Sequence, residues 1–170
     1  GCLLLVPEVL AGREVAEALA ITGASRKGVL SVMVTATSSG LDVAVTGGKP
    51  LDSELRQDLA GICERFGLAR LSWDDETVAQ RTPPLHDFGV TQVTPPPGAF
   101  LQATAHGEAV LRAGVLEITK GANRIIDLFA GCGTFALPLA RQASVFAVDN
   151  AADAISALGD GVGRAQRDGV

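Results

Sequence analysis

One stretch constrains this chain more than any other: Arg124-Ile-Ile-Asp-Leu-Phe-Ala-Gly-Cys-Gly-Thr-Phe-Ala-Leu-Pro-Leu-Ala140, followed by Val145-Phe-Ala-Val-Asp149. An apolar run, a turn carrying Gly131 and Gly133, a helix, and a second apolar run ending in an acid describe two parallel strands joined by a crossover. The carboxyl ends of such strands form a nucleotide pocket. Glycine is needed at 131 and 133 because a ligand must come against the backbone, and a Cβ would block that approach or the φ of the turn. Thr134 is expected to cap the following helix, with Pro138 near the end of its first turn. The unpaired N–H groups of that helix start would then face an anion.

The glycine pattern alone does not name the nucleotide. Gly131-Cys-Gly-Thr-Phe-Ala136 fits G-x-G-x-x-A, which keeps an NAD(P)-binding Rossmann module open. Against it, Asp127 precedes the first glycine and Leu128-Phe129-Ala130 widens the turn. An adenosine cofactor without a pyrophosphate, bearing a zwitterionic methionine tail, suits these parts better. The helix end would meet its carboxylate, and Asp149 would accept hydrogen bonds from the ribose hydroxyls. The residues thus point to S-adenosylmethionine.

Upstream, the spacing predicts a helix from Pro7 to Ala20 closed near Gly23, and a hairpin over 30–36 and 41–45. A second helix capped by Asp52 should bury Leu55, Leu59, Ile62, Cys63 and Phe66 before Gly67 ends it. Strands follow at Leu68–Trp73, Thr77–Arg81 and Gly89–Val93, then a helix from Ala105 to Ile118 with Val110, Leu111, Val115 and Ile118 inward. The proline cluster at 95–97 reads as an extended connector. The fold expected is α/β, a small α+β domain over residues 1–94 followed over 95–170 by the first part of a Rossmann-like methyltransferase sheet.

With 47% apolar residues the chain can build a core, and no apolar run approaches the roughly 20 residues of a membrane helix. A cytoplasmic, membrane-free protein is expected. The net charge of −5 means that an RNA partner would need basic surface from elsewhere. Cys2, Cys63 and Cys132 show no metal or disulfide spacing, and no metal site is expected. His86 and His106 have no partner at triad spacing and read as surface or capping residues. The chain starts without Met and stops shortly after Asp149, which suggests a fragment.

Three blocks, Pro97-Gly-Ala-Phe-Leu-Gln102, Asp127 through Ala140 and Val145 through Asp149, together resemble the RNA uridine-5 methyltransferases that make 5-methyluridine in ribosomal and transfer RNA. The likeness extends weakly over the first half, from Cys2-Leu-Leu-Leu-Val-Pro7 onward. It implies that Gln102, Phe129, Thr134 and Asp149 contact S-adenosylmethionine, with Gly131 and Gly133 shaping the turn. It implies an RNA substrate for the whole protein. It also implies that the thiolate that adds to uracil C6 and the base that removes the C5 proton sit on later strands. No catalytic residue is therefore expected within these 170 residues. Some family members hold an iron–sulfur cluster through four cysteines, the last of them in the position of Cys2. A half-built sheet with an unpaired edge is expected to self-associate. A methyltransferase for protein or small molecules would share the glycine loop and Asp149 but has no reason for the Phe100-Leu-Gln102 block.

Overall fold

The computed structural model describes residues 5–169. The chain forms two compact units, one ending at Pro84 and the other beginning at Leu85.

The first unit contains α1 (Pro7–Gly23), β1 (Ser31–Thr37), β2 (Gly40–Thr46), α2 (Ser53–Arg65), β3 (Arg70–Trp73) and β4 (Glu76–Gln80). Its sheet runs β1-β2-β3-β4, with β2 and β3 parallel across the α2 crossover and the outer pairs antiparallel. Asp52 caps α2 as its spacing requires, accepting from Leu55 N–H at 2.8 Å. Leu55, Leu59, Ile62 and Cys63 turn inward, while Phe66 is only partly buried. Trp73 is fully buried, and its indole N–H donates to the Lys49 carbonyl at 2.9 Å. Gly23 and Gly48 leave the space that the indole fills. Asp42 and Arg70, opposite each other on β2 and β3, form a buried bidentate pair at 2.8 and 2.6 Å. The Asp74-Asp75 turn joins β3 to β4 with φ of 44° and 68°, the positive pair a tight hairpin demands.

The second unit contains β5 (His86–Asp87), β6 (Gln92–Val93), α3 (Ala105–Ile118), β7 (Arg124–Leu128), α4 (Ala136–Leu139), β8 (Ser144–Val148) and α5 (Ala152–Arg167). β7 and β8 pair in parallel from Arg124 opposite Ser144 to Leu128 opposite Val148. Phe88, Val93, Cys132, Leu137, Ala154 and Ala157 make the core.

Four sequence expectations are corrected here. The segment over 89–93 is not one strand but part of a short β5–β6 hairpin, closed by Phe88 N–H donating to Thr91 O at 3.1 Å. Because Phe88 and Val93 enter the core of the second unit, the division falls at Pro83-Pro84 and not at residue 94. In α3, Val110, Leu111 and Ile118 are exposed, and the one buried residue is Glu108. Of its apolar stripe only Val115 is half-covered among the described residues. Finally, Thr134 caps no helix. The crossover starts as a series of turns, and α4 is a single turn whose N-cap is Phe135, with no side-chain cap. A helix that short has little macrodipole to offer an anion.

Candidate functional site

The carboxyl ends of β7 and β8 bring together most of the residues singled out from the sequence. The loop after β7 is tied to β8 twice: Ala130 N–H donates to Val148 O at 3.0 Å, and Gly131 N–H donates to Asp149 Oδ2 at 2.8 Å. Asp149 Oδ1 accepts from Ala151 N–H at 2.9 Å. These backbone N–H groups hold the Asp149 carboxyl below its usual range.

The two glycines are not equivalent. Both have positive φ, 53° at Gly131 and 100° at Gly133. A Cβ on Gly131 would meet nothing within 4 Å, so one side of this backbone is open to a ligand. A Cβ on Gly133 would lie 2.9 Å from Leu137 Cγ and 3.1 Å from Leu158 Cγ. Gly133 serves the packing of the crossover on α5, while the backbone at Gly131 stays open.

Between them and β7 stands Phe129, with φ of 60° and 88% exposure. A bulky residue held in the left-handed region costs about 1–2 kcal/mol, and an aromatic ring left in water adds to that. Strained residues of this kind cluster at ligand sites. Gln102 lies half-buried in the loop before α3, and Thr134 half-buried in the crossover turns.

Asp127 was noted in the sequence for its spacing alone, and the structure gives it more weight. Burial pushes its carboxyl up, opposed by the Ala136 N–H and reinforced by the charge of Asp149. Its Oδ2 is buried without a hydrogen-bond partner. An orphaned carboxylate oxygen needs a donor. The open backbone at Gly131, the bare ring of Phe129 and the unmet acceptor of Asp127 fit a ligand that joins an apolar or planar body to a cationic donor. An S-adenosyl amino acid has those parts.

Among the described residues the cysteines offer no nucleophile. Cys63 and Cys132 are both buried. Burial, with Asp153 and Asp149 nearby, pushes the Cys132 thiol up to about 11, so it stays protonated at neutral pH. The iron–sulfur expectation rests on Cys2, which lies outside the described residues. Among the described residues no group of three or more His, Cys, Asp or Glu could hold a metal ion, and no helix is long and apolar enough to cross a membrane.

Sequence reasoning missed one polar cluster altogether. His86 is not a surface residue: its Nε2 lies 2.9 Å from Oε2 of Glu108, which is 3% exposed. The other Glu108 oxygen accepts from Arg112 Nη1 at 3.0 Å. The i,i+4 spacing of Glu108 and Arg112 was legible as a helix pair, but nothing in the sequence places His86 against them.

No family model matches the chain. It is 39% identical over 165 residues to a Brucella suis protein named an uncharacterized RNA methyltransferase, a match covering 97% of this chain and 40% of that protein. A protein of the same description from Mesorhizobium japonicum is 41% identical over 160 residues, covering 94% of this chain and 39% of the relative. The chain thus spans about 40% of the length of the curated relatives it matches. Among solved structures, the Pyrococcus abyssi tRNA (uracil-54, C5)-methyltransferase in complex with S-adenosyl-L-homocysteine superposes with a TM-score of 0.62. That match is 18% identical and covers 79% of this chain and 36% of that one. The fold is the mixed α/β, Rossmann-like fold of class I methyltransferases.

Proposed function

We propose that this chain carries the cofactor-binding part of an S-adenosylmethionine-dependent RNA methyltransferase that makes 5-methyluridine in ribosomal or transfer RNA and works in the cytoplasm. The observation that carries the reading is the pairing at one strand end of an open glycine backbone, Gly131, with a buried acceptor that lacks a donor, Asp127 Oδ2. The names of the relatives, RNA methyltransferases, support the substrate class. The blocks around Gln102 and Asp127 to Ala140 support uridine C5 as the target.

When bound, the cofactor supplies an electrophilic methyl group. The chain's own part is to hold it. Gly131 lets the ligand lie against the backbone, Phe129 gives its ring as an apolar surface, and Asp127 accepts from the ammonium of the methionine tail. Asp149 accepts from the ribose hydroxyls, while Gln102 and Thr134 complete the contacts. Gly133 keeps the turn closed on Leu137 and Leu158. No catalytic residue is assigned to this chain, since the cysteines among the described residues are buried thiols.

Ile126, Leu128 and Phe146 on one face of the β7–β8 pair are 68%, 63% and 69% exposed. That apolar face is the surface through which the isolated chain would self-associate.

Calorimetry with S-adenosylhomocysteine and NAD tests the cofactor. Binding of the former and none of the latter is expected, and tighter NAD binding would sink the assignment. For the product, the full-length protein is incubated with uridine-containing RNA and labelled cofactor, and the RNA is digested to nucleosides. Label in any nucleoside other than 5-methyluridine overturns the choice of target.

A further inference from the structure

The second unit holds a cavity of about 410 Å³ between the β5–β6 turn, α3 and the end of α4, and it shares no residue with the candidate cofactor site. Its lining is mostly apolar, with Val90, Leu116 and Pro138 among the walls, and Arg112, Arg141 and Gln142 are its polar residues. Arg112 is held in place from behind. Glu108 fixes its Nη1 at 3.0 Å, and the same nitrogen reaches Asp87 O at 3.4 Å. Nε and Nη2 of Arg112 have no partner among the described residues, so they are free to donate. Arg141 is exposed and has no acidic partner among the described residues. Gln142 gives its Nε2 to Thr119 Oγ1 at 3.0 Å and to Leu116 O at 3.5 Å, which leaves its Oε1 as an acceptor. Among the described residues the only carboxylate that meets Arg112 is Glu108, and Asp87 turns its own carboxylate to Gly89 N–H at 2.7 Å.

Two guanidiniums beside an apolar wall, with Glu108 as the one carboxylate against them among the described residues, leave a positive excess in a chain of net charge −5. Guanidinium forks match phosphate geometry, and ligand cavities run to about 300–1,000 Å³. The free amide oxygen suits a base N–H. We propose that this cavity takes one phosphate-bearing nucleotide of the RNA strand, its base against Leu116 and Pro138 and its phosphate on Arg112 and Arg141. The proposal rests on the RNA reading above and adds a second contact point to it, away from the cofactor.

The test titrates the chain with uridine 5′-monophosphate, uridine and inorganic phosphate, in parallel with S-adenosylhomocysteine. The nucleotide should bind at least about tenfold more tightly than uridine or phosphate alone. Arg141→Glu should weaken it by about tenfold or more. Ala113→Phe, which puts a ring into the cavity from an exposed helix position, should abolish binding. Both variants should keep wild-type affinity for S-adenosylhomocysteine, which shows that the unit is folded. Absence of nucleotide binding, unchanged binding in both variants, or phosphate bound as tightly as the nucleotide would each overturn the site. Failure of S-adenosylhomocysteine to bind the wild type bears on the cofactor reading alone.

Discussion

Replacing Gly131 and Gly133 by alanine, one at a time, separates the glycine that admits a ligand from the glycine that permits packing. At Gly131, φ of 53° is within the left-handed basin and the new methyl meets nothing within 4 Å. The cost is the backbone preference alone, about 1–2 kcal/mol. At Gly133, φ of 100° lies beyond that basin, and the methyl is driven to 2.9 Å from Leu137 and 3.1 Å from Leu158. Overpacking adds about 1–3 kcal/mol to the backbone term, for a total of about 2–5. In a domain of this size each kcal/mol moves Tm by about 4–8 °C. Trp73, the single tryptophan, sits in the first unit, so its fluorescence follows that unit while far-UV circular dichroism follows both. Gly133→Ala should therefore lower the dichroism transition steeply and leave the fluorescence transition in place. Gly131→Ala should lower it mildly yet lose most affinity for S-adenosylhomocysteine in calorimetry. Wild-type affinity in Gly131→Ala, or equal loss of stability in the two variants, would refute the division of roles.

Phe129→Gly should raise the stability of the second unit by about 1 kcal/mol by removing the positive-φ strain, while weakening S-adenosylhomocysteine binding; a variant less stable than the wild type counts against the strain. Arg70→Met strands the Asp42 carboxylate in the core of the first unit and should cost about 3–5 kcal/mol in urea unfolding followed by Trp73, with most of it recovered by adding Asp42→Leu. For Cys132, the folded-state pKa of about 11 stands above the ordinary 9.0. The unfolded chain then ionises first, so stability of the second unit falls as pH rises from about 9 to about 11, and peptide mapping after iodoacetamide at pH 8 should find Cys132 unmodified. Phe146→Lys, placed on the bare sheet face, should convert a self-associating chain to a monomer in sedimentation; a wild-type monomer at high concentration removes the association altogether.

Elements written in local chemistry were legible. Asp52 and Gly67 bound α2 because a cap and a positive-φ stop act on the backbone next to them, and alternation gave β1 and β2 their faces. The glycine loop was legible for the same reason, as positive φ at 131 and 133 is a local demand. What the sequence could not show depends on partners distant in the chain. The apolar stripe of α3 looked like a buried face, but a stripe states only that cover is wanted, not that it is present. His86 joins Glu108 across 22 positions, a distance no helical spacing encodes. Thr134 looked like a cap because it follows glycine and precedes apolar residues. The helix there is instead a single turn, Ala136–Leu139, that already contains Pro138 and starts at Phe135 without a side-chain cap.

The acids at the ends of β7 and β8 divide the work by how each is solvated. Asp127 is half-buried, with one buried oxygen unmet and its carboxyl pushed up by burial, which suits a donor that brings positive charge. Asp149 is the opposite case, pushed down because Ala151 and Gly131 already donate to its two oxygens. A ligand at Gly131 thus meets an acid that is already engaged, and the proposed ribose contact has to coexist with the loop contact. A carboxylate can manage this. Its two oxygens offer about four lone-pair sites, enough for two backbone N–H groups and for two hydroxyls as well. Asparagine has one oxygen and would turn an NH₂ toward one of the two N–H donors. This is a physical reason for an ionised acid at 149, where a neutral hydrogen-bonding side chain would hold either the loop or the ligand but not both.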